Sequence, residues 1–544
     1  MVDDSQQQGS PNQANASTAN LRQLRAQLQQ LFPAHCIVTG DHELSLYAQD
    51  VYEKAKPAGL VFKPDNKQQL AKAVQCATHL GIAVIPRGGG MSYTQGYVPQ
   101  EHNSLLVDMS ALNAIVEINL ADMYVTVEAG CSWQQLHQAL ADSDYRTPYW
   151  GTLSGRVATV GGGVSQNAIF WGSGQHGFAA DSVLSMEVIL ADGQMLQTGS
   201  ASKSNASPFM RHYGPDLTGL FTCDTAALAI KTEITLRLVA KMPEKGSLSF
   251  NFKTFQQQAS AMSEVARQGL ASETCGFDPF LQAQRMQRES LSSDVKSLLG
   301  VMKQSKSMLG ALKDGAKMAL AGRNFSDQHQ WSVHFFVEDL TAAGVAARLA
   351  KITEIAAKYD AEQIENTIPK VLTAHPFAPV NNMVGPKGER WVPVHALIPH
   401  SKAEQAYQLT EAIFTKHQQD IEKHQIGVGY LVSTVSTNVF VLEPVFFWPD
   451  ELNELHQQAI ESDYLAKLPG FAANIEARQA VARIRQELVS AYNEFGAIHM
   501  QLGKSYQFKQ GVHESNYRLL SQIKQQLDPN NRINPGSLGF HGDE

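Results

Sequence analysis

The chain is poor in several features that would have narrowed its class. It has only 5 cysteines in 544 residues, namely Cys36, Cys76, Cys131, Cys223 and Cys275. They lie far apart, which excludes a C-x-x-C metal or redox pair and a dense disulfide framework and fits a reducing compartment. No apolar run approaches the roughly 18 residues of a membrane-spanning helix. The start, Met1-Val2-Asp3-Asp4, lacks the basic and apolar stretches of a secretory signal. A cytoplasmic protein is therefore expected. There is no basic excess: 44 Lys and Arg stand against 52 Asp and Glu, a formal charge of -8, so nucleic acid is not an expected partner. No repeat of about 20 to 50 residues is visible. No metal-ligand spacing and no G-x-S-x-G elbow appears, so no metal site is expected.

What is present is ample for a folded protein. Hydrophobic residues make up 43% and charged residues 18%, which excludes global disorder. The length suggests about three or four domains at roughly 150 residues each. Residues 1–19 are rich in Gln, Asn, Ser and Ala and read as a disordered tail. Leu60-Val61-Phe62 reads as a strand and Lys67 to Leu80 as a helix stopped by Gly81. Ile82 to Ile85 reads as a second strand, completing a strand–helix–strand unit. Strands follow at 104–107, 114–118 and 124–128, the last with clear alternation. Ser132 and Gln135 form a capping box, and Val183–Leu190 with Gln194–Thr198 form a hairpin. Ile230–Leu238 is another strand. Beyond Pro243, helix and strand patterns mix. Ser401 and Glu404 box a helix start, 439–448 is an apolar strand, and two long helices cover 474–494 and 513–526.

Two glycine-rich segments carry the chemistry. The first, Pro86-Arg87-Gly88-Gly89-Gly90-Met91-Ser92-Tyr93, lies just beyond a strand end, where α/β units bind ligands. Successive glycines allow close backbone approach, their amides form an anion-binding nest, and Arg87 adds charge. A pyrophosphate suits it; a plain turn is the plainer reading. The second runs from Gly151 to Gly155 and on through Thr159-Val160-Gly161-Gly162-Gly163 to Asn167. Small residues for helix–sheet packing explain it equally well. Gly172 to Gly177 matches G-x-G-x-x-G literally, but a helix precedes it and a strand follows. A Rossmann fingerprint needs the reverse order, so a nicotinamide site is rejected.

Among 18 histidines, His499 stands out in Gly496-Ala497-Ile498-His499-Met500-Gln501-Leu502-Gly503-Lys504. It can serve as a base or as a satisfied core residue; His176 and His395 rank below it. The segment 294–323 punctuates Leu and Met with Lys and Arg. It can lie on an anionic membrane or form a solvated cap face.

The order of motifs carries a resemblance. Pro86–Gly90 is followed by Thr159-Val160-Gly161-Gly162, then Met186 to Gly193, then Gly214-Pro215-Asp216-Leu217-Thr218-Gly219-Leu220-Phe221-Thr222. Leu527-Asp528-Pro529-Asn530-Asn531 and Asn534-Pro535-Gly536 close the series. The chain resembles the vanillyl-alcohol oxidase/p-cresol methylhydroxylase (PCMH-type) flavoprotein family over about residues 55–240 and the last 20. It looks closest to the 4-cresol dehydrogenase and vanillyl-alcohol oxidase branch, to which Arg390-Trp391-Val392-Pro393-Val394 is also similar.

The resemblance implies an α+β fold with a two-lobed FAD-binding domain at 20–242 and an α+β cap, the substrate domain, at 243–500. It implies a segment, 501–544, returning to the FAD domain. Carried over by position, Arg87, Gly88, Gly89, Gly90, Met91 and Ser92 look like the pyrophosphate loop. Thr159, Gly161, Gly162, Gly163, Asn167, Ser173 and Gly177 look like the second FAD contact. Ala229 and Ile230 look like a strand edge at the cofactor, and Asn534 closes the site.

Members with tethered flavin carry His or Cys in the first loop, and some carry His or Tyr on the strand matching Asn438–Trp448. Both are lacking here, which implies non-covalent FAD. Where phenol oxidisers carry Tyr-Arg, this chain has Ile498-His499. The His499–Lys504 stretch is partly similar to alkyl-dihydroxyacetonephosphate synthases and 2-hydroxy-acid dehydrogenases, without the latter's metal-binding histidine pair. The expected activity is FAD-dependent oxidation of a small organic alcohol, hydroxy acid or phenol by hydride transfer to flavin N5. His499 is the expected base. Tyr93, Arg390 and Lys504 are expected to bind or polarise substrate, with Glu443 a further candidate. The electron acceptor (oxygen, cytochrome or quinone) and a homo-oligomer stay open. So do an alkyl-glycerone-phosphate-type FAD transferase and a non-catalytic flavin-binding or membrane-associated module.

Overall fold

A computed structural model describes residues 11–289 and 330–541 of the chain. The basic segment 294–323 lies outside the described residues. None of the described helices is long and apolar enough to cross a membrane.

The first lobe is built on a four-stranded sheet in the order Ile37–Val38, Leu60–Phe62, Ser104–Asp108, Ala83–Arg87. Leu60–Phe62 and Ala83–Arg87 both run parallel to Ser104–Asp108, which lies between them. The helix joining the first two, Lys67–His79, starts where the Asn66 side chain accepts the Gln69 amide. It ends before Gly81, whose φ of +69° suits a residue without Cβ. Its face of Leu70, Ala73, Val74 and Ala77 is fully buried. The strand–helix–strand unit is thus present, but the fully apolar Leu105-Leu106-Val107 run inserts into its middle. All three of these side chains are buried, which only a central strand allows.

The second lobe is a five-stranded antiparallel sheet ordered Ile115–Asn119, Tyr124–Glu128, Ile230–Arg237, Val183–Ile189, Met195–Gln197. The Ser132–Gln135 capping box forms as expected and starts the helix Trp133–Ala139. An eight-stranded antiparallel sheet makes the cap, with Glu244–Phe252, Trp331–Asp339, Glu273–Phe277, Gly427–Val435 and Val439–Trp448 as successive neighbours. The helices Phe255–Arg267, Ala342–Lys358 and Ala403–Lys416 pack on it, and Ile475–Phe495 packs beside the last of them.

Two local expectations need correction. The first helix runs Pro11–Leu31, so residues 11–19 of the stretch read as a tail are helical. Proline is pre-organised for the first turn, and the fully buried Leu24 and Leu28 anchor the helix further along. Ser401 and Glu404 do not form a capping box. Pro399 starts a tight turn over His400–Lys402, and the helix Ala403–Lys416 follows with no side-chain cap.

The C-terminal segment returns to the first lobe. After the helix Glu514–Leu527, Asp528 accepts the amides of Arg532 (2.9 Å) and Ile533 (2.7 Å) and pairs with Lys524. This turn lays Ile533 beside Val84 as an added strand: the Val84 amide donates to Arg532 O and the Asn534 amide to Val84 O. Asp528→Ala removes a buried carboxylate with three partners and is expected to cost about 3 kcal/mol. Urea unfolding of the purified protein measures the loss.

Candidate cofactor cleft and active site

A cleft with a cavity volume of about 140 Å³ opens between the lobes. Both glycine segments line it: Gly88 to Ser92 from one side, Thr159 and Gly161 to Gly163 from the other. They touch each other. A Cβ on Gly89 would stand 2.1 Å from the Val157 carbonyl oxygen, and one on Gly88 would stand 2.4 Å from Thr159 Oγ1. A Cβ on Gly161 would meet Ala129 O at 2.7 Å. These glycines are therefore required first by backbone packing, which brings the two segments together as one cleft wall. Among the described residues, the amides from Gly89 to Met91 donate no hydrogen bond within the chain. Free amides in a glycine turn are a nest for an anion.

Other polar atoms of the lining are unsatisfied as well. Gln166 Oε1 and Trp133 Nε1 are buried without a hydrogen-bond partner. Buried polar atoms are normally paired, so their state fits a polar ligand lying between them. Trp133, Gln166, Thr225, Lys231 and Gln501 all line the cleft, and sequence reasoning singled out none of them for the site. Gln166 and Gln501 stood inside the motifs quoted above, but nothing in their spacing gave their direction.

The expected cofactor residues divide by position. Gly88, Gly89, Gly90, Met91, Ser92, Thr159, Gly161, Gly162, Gly163 and Ile230 line the cleft. Arg87 lies behind the loop, its guanidinium stacked between Tyr47 (4.9 Å) and Tyr97 (5.4 Å). Asn534 bridges two walls from outside, donating from Nδ2 to Gly96 O and Thr225 O at 2.7 Å each. Asn167 ends the helix Val160–Gln166 with φ +52°, Ser173 Oγ accepts the Phe170 amide, and Ala229 is fully buried beside Ile230. Gly177 turns with φ +85° against Asp181.

At the end of the cleft marked by Gln501, loop, cap and C-terminal segment meet. Tyr93 Oη lies 2.6 Å from His395 Nε2 and accepts from Gln501 Nε2 at 3.1 Å. His395 Nδ1 faces Tyr506 Oη at 3.2 Å, and the His395 amide donates to the same oxygen at 2.8 Å. His499 donates from Nδ1 to His395 O at 2.6 Å and stacks on Tyr506 with ring centres 4.0 Å apart. Because a carbonyl only accepts, Nδ1 carries the proton, and the buried Nε2 has no partner. Glu443 Oε2 stands 3.9 Å from His395 Nε2. Arg485 donates to Tyr93 O and lies over the Tyr52 ring, while Trp391 meets Tyr93 edge-on at 5.3 Å.

Of the five residues expected to act on substrate, Tyr93, Glu443 and His499 converge here, around His395. Arg390 and Lys504 turn elsewhere. Arg390 donates to Val51 O and Tyr52 O and lies over Trp448, tying the cap to the first lobe. Lys504 donates to Val98 O at 2.8 Å.

Burial sets the protonation states. It pushes His395 down to about 3, helped by His499 and Arg485, and His499 down to about 4. Both are neutral at physiological pH. Burial raises Tyr93 well above its ordinary value, so it stays protonated. It pushes Lys504 down to about 7. Among the described residues, one group of potential metal ligands lies away from the cleft: atoms of His35, Cys36 and Asp65 lie within 4.8 Å of one another.

The chain's similarity to known proteins agrees with this geometry. Residues 58–199 match the family model described as an FAD binding domain. The protein carries a PCMH-type FAD-binding domain, and FAD is its cofactor. An uncharacterized FAD-linked oxidoreductase of Mycobacterium tuberculosis is 28% identical over 238 residues, 43% of this chain and 50% of that protein. The chain spans about half the length of the curated relatives it matches. The solved structure of substrate-bound p-cresol methylhydroxylase superposes with a TM-score of 0.72 at 15% identity, covering 97% of each chain. Alkyldihydroxyacetonephosphate synthase gives 0.65 at 15% identity, covering 94% of this chain and 84% of that one. The chain shares the fold of these two proteins over nearly its whole length.

Two outcomes follow. Gly89→Ala wedges a methyl group against Val157 and is expected to weaken FAD binding about tenfold or more, in line with the cost of overpacking. The flavin absorbance retained per protein after gel filtration measures this. Lys504 makes stability depend on pH. Between pH 7 and about 10 the unfolded chain carries its proton and the native chain does not, so stability rises with pH across that window. Lys504→Met is expected to remove that rise and to be the more stable protein at pH 7, as read by urea midpoints at pH 7 and 9.

Proposed function

We propose that the protein is an FAD-dependent oxidoreductase that oxidises a small organic alcohol, hydroxy acid or phenol. The observation that carries this reading is the Tyr93 hydroxyl. It belongs to the loop that lines the cofactor cleft, yet cap and C-terminal residues hold it from the other side. A substrate placed there lies between the cofactor domain and the cap. FAD bound in the cleft supplies the hydride acceptor.

The chain's own residues handle the proton and the oxygen. Tyr93 is protonated and donates to the substrate oxygen as negative charge grows on it. His499 is neutral, with its lone pair on Nε2, and is the acceptor for the hydroxyl proton. Its depressed basicity keeps it free of a proton throughout the physiological range while limiting its driving force. Glu443 lies beside the neighbouring His395, 3.9 Å from its Nε2. Burial of Tyr93, His395 and Tyr506 excludes water, which strengthens each of these interactions.

Non-covalent FAD follows from the lining. Among the described residues that line the cleft there is neither histidine nor cysteine, and the one tyrosine, Tyr97, donates its hydroxyl to Ser92 O under the Arg87 guanidinium. The flavin is expected in the supernatant after acid precipitation; yellow pelleted protein would overturn this point.

Anaerobic mixing with p-cresol, other phenols and 2-hydroxy acids tests the reaction, since oxidation of a substrate bleaches the flavin. Tyr93→Phe is expected to slow bleaching by about 10²-fold, the usual effect of removing one donor to a developing oxyanion. His499→Ala is expected to keep the yellow colour and slow bleaching by about a hundredfold. Unchanged rates in both variants would dismiss this assignment of roles.

A further inference from the structure

The hydrogen bonds around His395 can be assigned atom by atom, and they give this residue a role. His395 is fully buried and neutral. A neutral imidazole has one N–H and one lone pair. Tyr506 Oη already accepts the backbone N–H of His395. Its own proton needs an acceptor, and His395 Nδ1 at 3.2 Å is the one in reach. Nδ1 then holds the lone pair and Nε2 the proton. Glu443, 3.9 Å from Nε2, favours the same choice. The Nε2–H points at Tyr93 Oη, which also accepts from Gln501 Nε2. Tyr93 thus accepts twice within the chain, and its own O–H proton is left to point outward.

We infer that His395 is a positioning residue: locked by Tyr506 as the Nε2–H tautomer, it makes Tyr93 an outward hydrogen-bond donor to a substrate oxygen. The reverse tautomer would draw the Tyr93 proton inward onto His395 and leave the substrate facing a lone pair, since Gln501 occupies the other. The tautomer therefore selects the substrate. A site with an outward donor takes an oxygen that accepts, such as a phenolate, an alkoxide in formation or a carbonyl product. The inference rests on Tyr93 facing substrate, as proposed above. The charged and titratable groups around His395 are Tyr93 on the loop, Glu443 on the cap strand, Arg485 on the helix Ile475–Phe495, and His499 and Tyr506 on the C-terminal stretch.

The assignment can be tested without a substrate. In the FAD-loaded protein labelled with ¹⁵N-histidine, NMR is expected to show His395 as the Nε2–H tautomer, unchanged from pH 5.5 to 9. Tyr506→Phe removes the lock and is expected to give a tautomer mixture. A dominant Nδ1–H form in the unmodified protein, or titration of His395 in that range, overturns the inference whatever the substrate proves to be. A second arm uses flavin bleaching by p-cresol under argon. His395→Phe is expected to slow it about fivefold, the worth of one neutral hydrogen bond. His395→Gln, which still offers an N–H, recovers most of that loss. In a Tyr93→Phe background His395→Phe is expected to have no further effect. If Tyr93→Phe leaves bleaching untouched, the proposed function fails while the NMR arm still decides the tautomer. If Tyr93→Phe slows bleaching and His395→Phe does not, the positioning role alone fails.

Discussion

The cleft exists because two stretches of backbone touch where no Cβ would fit. Gly89 packs on the Val157 carbonyl and Gly88 on the Thr159 side chain. That contact joins the mixed sheet of the first lobe to the antiparallel sheet of the second. Close packing permits it only with glycine on one side, since a methyl group at 2.1 Å would force the segments apart. The free amides of Gly89 to Met91 and the unsatisfied Gln166 and Trp133 line the cleft beside it. Such a surface, with polar atoms left without a partner in the chain, is suited to a polar ligand.

The second constraint is burial without charge. His395, His499 and the two tyrosines Tyr93 and Tyr506 form a compact set in which burial disfavours every ionised form. Such a set holds protons in fixed places instead of exchanging them with solvent. The charges nearby are anchored elsewhere. Arg485 lies on Tyr52 and holds the Tyr93 carbonyl, and Lys504 is tied to Val98. The cap and the returning tail bring these groups to the cleft from positions about 300 and 400 residues away in the chain.

Much of the fold was legible in local patterns. The Ser132–Gln135 capping box, the helix ending at Gly81, the hairpin around Gly193 and the apolar strand ending at Trp448 all lie where their residues predict. The failures were also local. Ser401 and Glu404 have the right spacing for a cap, but Pro399 starts the turn earlier. Within the site, glycine motifs were legible because their conformational demands are written in residue type. His395 was not, because it sits in an apolar strand context and its partners come from two remote segments. Arg390 and Lys504 looked equally suited to catalysis by residue type, and packing aimed both at backbone carbonyls instead.

The order of motifs by itself determined the architecture and the cofactor class, because glycine spacing, caps and turn residues act through short-range sterics that any chain context preserves. Which side chains face substrate was decided by tertiary structure alone. Direction depends on how the cap sheet and the returning tail pack against the first lobe, and on the burial that sets each proton. Those quantities arise only once distant segments meet.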